Sequence, residues 1–252
     1  MDKLSKAPVS EVVFGITLLN NRISDSDIIS LLNEYKVKYP NIEITPPLAN
    51  EWLVDYKILP EIDILKSGQI LYRLRSSDKK YLIQLQGNKF YLNWIRQDEE
   101  DVGNYPGFSK ILAVFNELKE VIVSFLKHDI FENNIKYYEL SYHDRFEWQE
   151  YIENISQIEK IMNFNPPKIG IDTGFNNVFS QYTYQNDMIG GYGSLSINTS
   201  TSIKNKQLLR FESIIRGVLP DASSNSWFKM GHDIQNKIFL NTFKDLILDT
   251  WR

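Results

Sequence analysis

A chain of 252 residues that is 42% apolar and 13% aromatic can bury a sizeable core, and it carries too many Tyr, Phe and Trp residues to be a disordered polymer. Its formal charge of −4 argues against a surface that tracks nucleic acid over its whole extent, and the lack of cysteine excludes disulfides, thiolate metal sites, iron–sulfur clusters and cysteine nucleophiles. No secretion signal and no 18-residue apolar run is visible, so the expectation is a cytoplasmic protein with no membrane insertion.

EVVFGITL (11–18) is a β-rich opening strand. SDSDIISLLNEYKVKYP follows as a helix with serine and aspartate caps, apolar residues at helical spacing and Pro40 as its stop. Residues 45–68 read as an irregular connection around Pro46-Pro47, with a short strand near Trp52. QILYRLRS, KYLIQLQ and KFYLNWIR then form an antiparallel meander, turned at SSDK and at Gly87-Asn88. After the acidic loop QDEED, a long helix over roughly 107–128 carries one apolar stripe: Phe108, Ile111, Leu112, Phe115, Leu118, Val121, Ile122 and Phe125.

The second half repeats this order. IKYYELSYHDRF (135–146) is a strand and EWQEYIENISQIEKIMN a helix; Pro166-Pro167 introduces NVFSQYTYQ, GYGSLSINTS and KQLLRFESII as a second meander. SWFKMGHDIQNKIFLNTFKDLILDTW closes the chain as one long helix, with Ile234, Ile238, Phe243, Leu246, Ile247 and Trp251 on one side. The two Pro-Pro pairs stand 120 residues apart. The fold class expected is therefore α+β, with an internal duplication giving two similar β-α-β-β-β-α lobes, 1–132 and 133–252, packed side by side or sharing one sheet.

No enzyme signature survives inspection. Asp172-Thr173-Gly174 matches the catalytic loop of an aspartic protease, yet that chemistry needs two carboxylates sharing a proton, and the equivalent stretch of the first half, ITPPLANEWL, has no counterpart. The motif reads as a turn. His128, His143 and His232 are isolated, without zinc-ligand spacing, and neighbouring His143 and Asp144 point to opposite faces of a strand, so they cannot pair as base and orienter. GGYGSLS leads into a strand and is not a nucleophile elbow, and no phosphate-binding glycine loop is present. No cofactor and no metal is expected.

One surface draws attention. Lys66, Arg73, Arg75, Lys79, Lys80, Lys89 and Arg96 stand against Asp78 alone between positions 66 and 96. Alternation places Arg73 and Arg75, Lys80, Gln84 and Gln86, and Lys89, Tyr91 and Asn93 on one face of the meander. A face mixing these side chains can contact phosphates and stack on unpaired bases, so Arg73, Arg75, Lys80, Gln84, Lys89 and Tyr91 are candidate nucleic-acid contacts; a solvated face or one paired with an acidic partner is the alternative.

KAPVSEVVFGI (6–16), SYHDRF (141–146) and GHDIQNKIFLNTFKDLILDTW (231–251) together resemble a sporadically distributed, uncharacterised prokaryotic family of proteins near this length. Pro8, Glu11, Tyr142, Arg145, His232 and Trp251 carry the likeness, whereas Asp144 stands where the family's Tyr-x-Asn-Arg strand has asparagine. The resemblance implies a gene of mobile or antiviral-defence character whose product is partner to an effector encoded nearby. The function expected is a non-enzymatic accessory protein acting with a protein partner. The alternatives are a nucleic-acid-handling subunit that uses the basic meander beside a short Argonaute-like protein, and, more remotely, a hydrolase with an unrecognised site.

Overall fold

The computed structural model of the chain describes residues 4, 6–20, 23–48, 50–54, 57–61, 70–97, 103–127, 129–131, 133–163, 178–202 and 204–252. β1 (Val9–Leu18) opens it, and α1 (Asp25–Tyr35) follows behind a reciprocal cap in which the Asp27 amide donates to Ser24 Oγ and the Ser24 amide to Asp27 Oδ2. Next come β2 (Asn41–Thr45), a hairpin of β3 (Asn50–Val54) and β4 (Lys57–Glu61), and the meander β5 (Leu71–Arg75), β6 (Tyr81–Gln86) and β7 (Lys89–Ile95). The expected irregular connection at 45–68 thus holds strands at its start and around Trp52. α2 (Phe108–Leu126) closes the first half, with Phe108, Ile111, Leu112, Phe115, Leu118 and Ile122 buried as the stripe foresaw.

The second half holds β8 (Ile135–Glu147), β9 (Phe179–Asn186), β10 (Gly191–Thr201), β11 (Gln207–Gly217), α3 (Ser224–Thr242) and α4 (Asp245–Trp251). Between β8 and β9 the expected helix is replaced by two short 3-10 turns, Trp148–Glu150 and Ile155–Lys160. The spacing explains the replacement: Ile152, Ile155, Ile158 and Ile161 recur every third residue and are all buried, which suits three residues per turn better than 3.6. The stretch 168–177, with its Asp-Thr-Gly, lies outside the described residues, as do His128 and most of QDEED.

The closing helix is also not continuous. Thr242 Oγ1 donates to the Ile238 carbonyl, and Phe243 takes extended φ/ψ and bridges to Met162, so its ring reaches the core beside Trp251 while Leu246 stays exposed. A single straight helix would hold positions 243 and 251 at one fixed spacing; the break lets both rings pack.

Nine strands form one sheet in the order β2-β5-β6-β7-β1-β8-β11-β10-β9, each adjacent pair antiparallel. The architecture is α+β. Alternation divides the sheet into two faces. One carries Phe14, Ile16, Leu92, Trp94, Leu140, Phe211 and Ile215 and is covered by helices. The other carries the row Glu43, Arg73, Gln84, Tyr91, Gly15, Glu139, Arg216, Tyr192 and Gln185, one residue from each strand.

The helix side holds two apolar clusters. The larger is centred on Phe14, whose ring lies 5.0–5.6 Å from those of Phe108, Phe115 and Phe228; the smaller gathers Phe146, Phe211, Phe243 and Trp251. α3 spans both, and it lies close to the sheet because Gly231 faces β11, where an added Cβ would come within 2.5 Å of Ile215 Cδ1. Phe14→Ala is expected to cost roughly 3–5 kcal/mol, read as a lowered urea midpoint. A loss below about 1 kcal/mol would mean that this ring does not centre the core.

Candidate functional site

The six basic-meander residues meet different fates. Arg73, Gln84 and Tyr91 fall on one cross-strand row, so the structure brings them together. Arg73, Arg75 and Lys80 are partly exposed, but Gln84, Lys89 and Tyr91 are buried. Arg73 Nε donates to Gln84 Oε1, Gln84 Nε2 to Asn93 Oδ1, and Asn93 Nδ2 to Glu11 Oε1. The Tyr91 ring lies over Gly15, where a Cβ would sit 2.4 Å from it, and its hydroxyl meets Thr17 and the buried Glu139–Arg216 ion pair. Arg73, Gln84 and Tyr91 are thus held by neighbours on the sheet; for the buried Gln84, Lys89 and Tyr91 to touch a polyanion, they would first have to be uncovered.

A different site lies on the helix side, where the two apolar clusters fail to meet. A cavity of about 460 Å³ opens there between α3, β8, β11, the segment before β1 and the one before α2. Five aromatic side chains contribute to its walls: Tyr105, Phe108, Tyr142, Phe211 and Phe239. The size and apolar lining match those of small-molecule sites.

Five polar residues, Asp144, Ser213, His232, Gln235 and Asn236, line it. In β8, Asp144 falls in step with Tyr142 and Phe146; in β11, Ser213 falls between Phe211 and Ile215. His232, with Gln235 and Asn236 three and four residues further on, faces the cavity from one side of α3. The sequence carried the signal, polar residues breaking the apolar register of two strands and a helix, but nothing in it shows that the breaks are level with one another.

The His232 ring stacks flat on Phe108, with centroids 4.1 Å apart. Burial pulls its pKa down to about 4, against the weaker pull of Asp233, so the ring is neutral at neutral pH. With Nε2 accepting from Asn236 at 3.0 Å, the ring proton sits on Nδ1 and donates to the Tyr142 hydroxyl at 2.9 Å. The Tyr142 hydroxyl also shares a hydrogen bond with the Tyr105 hydroxyl at 3.2 Å, in which either oxygen can donate. A relay therefore runs Asn236–His232–Tyr142–Tyr105 along one wall.

Asp144 is 2% exposed and makes no hydrogen bond or ion pair among the described residues. Burial pushes its pKa up to about 7, with His143 and Arg96 drawing it partly back. His143 points to the opposite face, as alternation requires, and approaches Glu212 at 3.5 Å. Gln235 donates to the Leu140 and Ser213 carbonyls, leaving its buried Oε1 without a partner. Among the described residues no His, Asp or Glu cluster of metal-binding type occurs, and no helix is long and apolar enough to cross a membrane.

Compared with known proteins, the chain matches no family model, no curated protein and no solved structure.

The two perturbed groups have opposite effects on stability. Asp144, raised in the fold, stabilises below its unfolded pKa near 4 and loses that contribution as pH rises towards about 7. His232, lowered in the fold, stabilises above about 6.5 and loses that contribution as pH falls towards about 4. Between pH 4 and 6.5 the slopes oppose. Asp144→Asn leaves the His232 slope alone, so the variant's stability should climb with pH relative to the parent by up to about 1.4 kcal/mol per unit in that window. Parallel urea titrations of both proteins at several pH values check this, and identical slopes would place Asp144 in water.

Proposed function

We propose that this chain is a binding protein whose ligand is a small, largely apolar molecule held in the cavity between α3 and the sheet. The observation that carries the reading is a 460 Å³ gap, walled by five aromatic rings, at the level where polar side chains replace core residues. A gap of this size left empty would forfeit the packing contacts of every group around it. His232, Tyr142 and Asp144, which bear on the likeness to the sporadic prokaryotic family, all border it. Ala7→Phe, entering from the segment before β1, should block the cavity. Indole and 2-naphthol are expected to raise the melting temperature of the parent and not that of Ala7→Phe, as read by scanning fluorimetry. Equal responses would remove the cavity from consideration.

A second reading, an accessory role beside a protein partner, is favoured by the outer strand β9 and the turn after it, where Phe179, Tyr182 and Met188 are 71%, 50% and 62% exposed. An exposed strand edge with aromatic side chains suits a partner that adds a strand. Phe179→Asp with Tyr182→Lys should abolish stoichiometric co-purification with a neighbouring gene product without changing the melting temperature; retained co-purification would place the interface elsewhere. The mirrored strand order about β1 and β8, with β7 and β11, then β6 and β10, then β5 and β9 on either side, supports descent of the two halves from one duplicated unit.

A further inference from the structure

The polar groups of the cavity do not balance. Both nitrogens of His232 are engaged, the Tyr142 hydroxyl is held between His232 and Tyr105, and the Gln235 amide nitrogen is spent on two carbonyls. Two acceptors on buried residues remain: Gln235 Oε1, which is fully buried without a partner, and the carboxyl of Asp144, a residue 2% exposed. Asp144 is the sole residue of formal charge among the described lining residues; the buried Arg96 guanidinium acts on it from a distance but makes no hydrogen bond to it. A carboxylate enclosed by aromatic walls without a hydrogen-bonded counter-charge is costly, and the deficit disappears if the occupant brings a cation with N–H donors. The rings add to the same preference, because their faces attract a positive charge.

We infer that the ligand is an organic cation, a primary or secondary ammonium carried on an aromatic or aliphatic body, with its nitrogen on Asp144 and its body among Tyr105, Phe108, Phe211 and Phe239. This rests on the cavity being a ligand site at all and adds the chemistry of what it takes. The selectivity is electrostatic: a neutral molecule of the same shape gains the aromatic contacts but leaves the carboxyl without a partner. Binding also competes with the carboxyl proton, since the ammonium needs the ionised form. The other ionisable groups acting on Asp144 or sharing its cavity are His143, on the opposite face of the sheet, Arg96, in step with Trp94 on the helix face, and Tyr105, Tyr142 and the neutral His232.

The test uses a matched pair of probes, tryptamine and tryptophol, which share an indole and differ in ammonium against hydroxyl. Calorimetry on the full chain at pH 8 should show tryptamine binding at least about ten-fold more tightly, as expected for a buried charge pair. Its affinity should rise about ten-fold from pH 6 to pH 8 as the ionised fraction of Asp144 grows, while that of tryptophol stays level. Asp144→Asn, which keeps the shape and loses the charge, should cancel both the preference and the pH dependence while still binding tryptophol. Equal binding of the two probes to the parent, or a preference that survives in Asp144→Asn, overturns the cation assignment and leaves the cavity reading standing. Binding of neither probe at millimolar concentration overturns both.

Discussion

The antiparallel pairing of β1 with β8 is the constraint on which the rest of the structure depends. Residues 9–18 and 135–144 are far apart in sequence, yet their ladder joins the strands of both halves into one sheet. β1 is also the partner of β7, so it lies between two strands and is buried from Val12 to Leu18. Gly15 sits at its middle with the Tyr91 ring filling the space where a side chain would stand. Any shift by one residue would turn Phe14 and Ile16 to the polar face and Gly15 to the core.

Because the sheet is continuous, its two faces become two environments. The polar face is a chain of mutual satisfaction from Arg73 through Gln84 and Asn93 to Glu11, and again from Tyr91 to Glu139 and Arg216. The helix face is apolar except where the two clusters part. There α3 must continue from one cluster to the other, and it crosses the gap with His232, Gln235 and Asn236 instead of Leu or Phe. A buried carboxyl pushed towards neutrality and a buried imidazole held neutral lie around the same space, which concentrates perturbed ionisation where a ligand has room to act.

Much of the architecture was legible. The strands of both meanders, the cap of α1 and the buried stripe of α2 follow from alternation, Ser24 and helical spacing. The turns after β8 were misread because four isoleucines at a spacing of three resemble an amphipathic helix when only apolarity is counted. The last helix was misread because Phe243 and Trp251 both read as its apolar side, whereas the packing of both rings required a break between them. The opposite directions of His143 and Asp144 were legible from alternation alone; the cavity into which Asp144 points was not.

The sequence by itself determined which residues pair their faces with water or with core, since the period of two in strands and 3.6 in helices is a local property of the backbone. It also determined the chemical exclusions: without cysteine no thiolate chemistry is available to the chain. Only the tertiary structure decided that Asp144, Ser213, His232 and Gln235 meet around one space, because they come from strands and a helix separated by up to 91 residues and brought level by the register of β8 on β11 and by the close approach of Gly231 to Ile215. It likewise decided that the basic meander turns Gln84, Lys89 and Tyr91 into buried partners, since burial depends on what lies across the sheet and not on the strand that carries the residue.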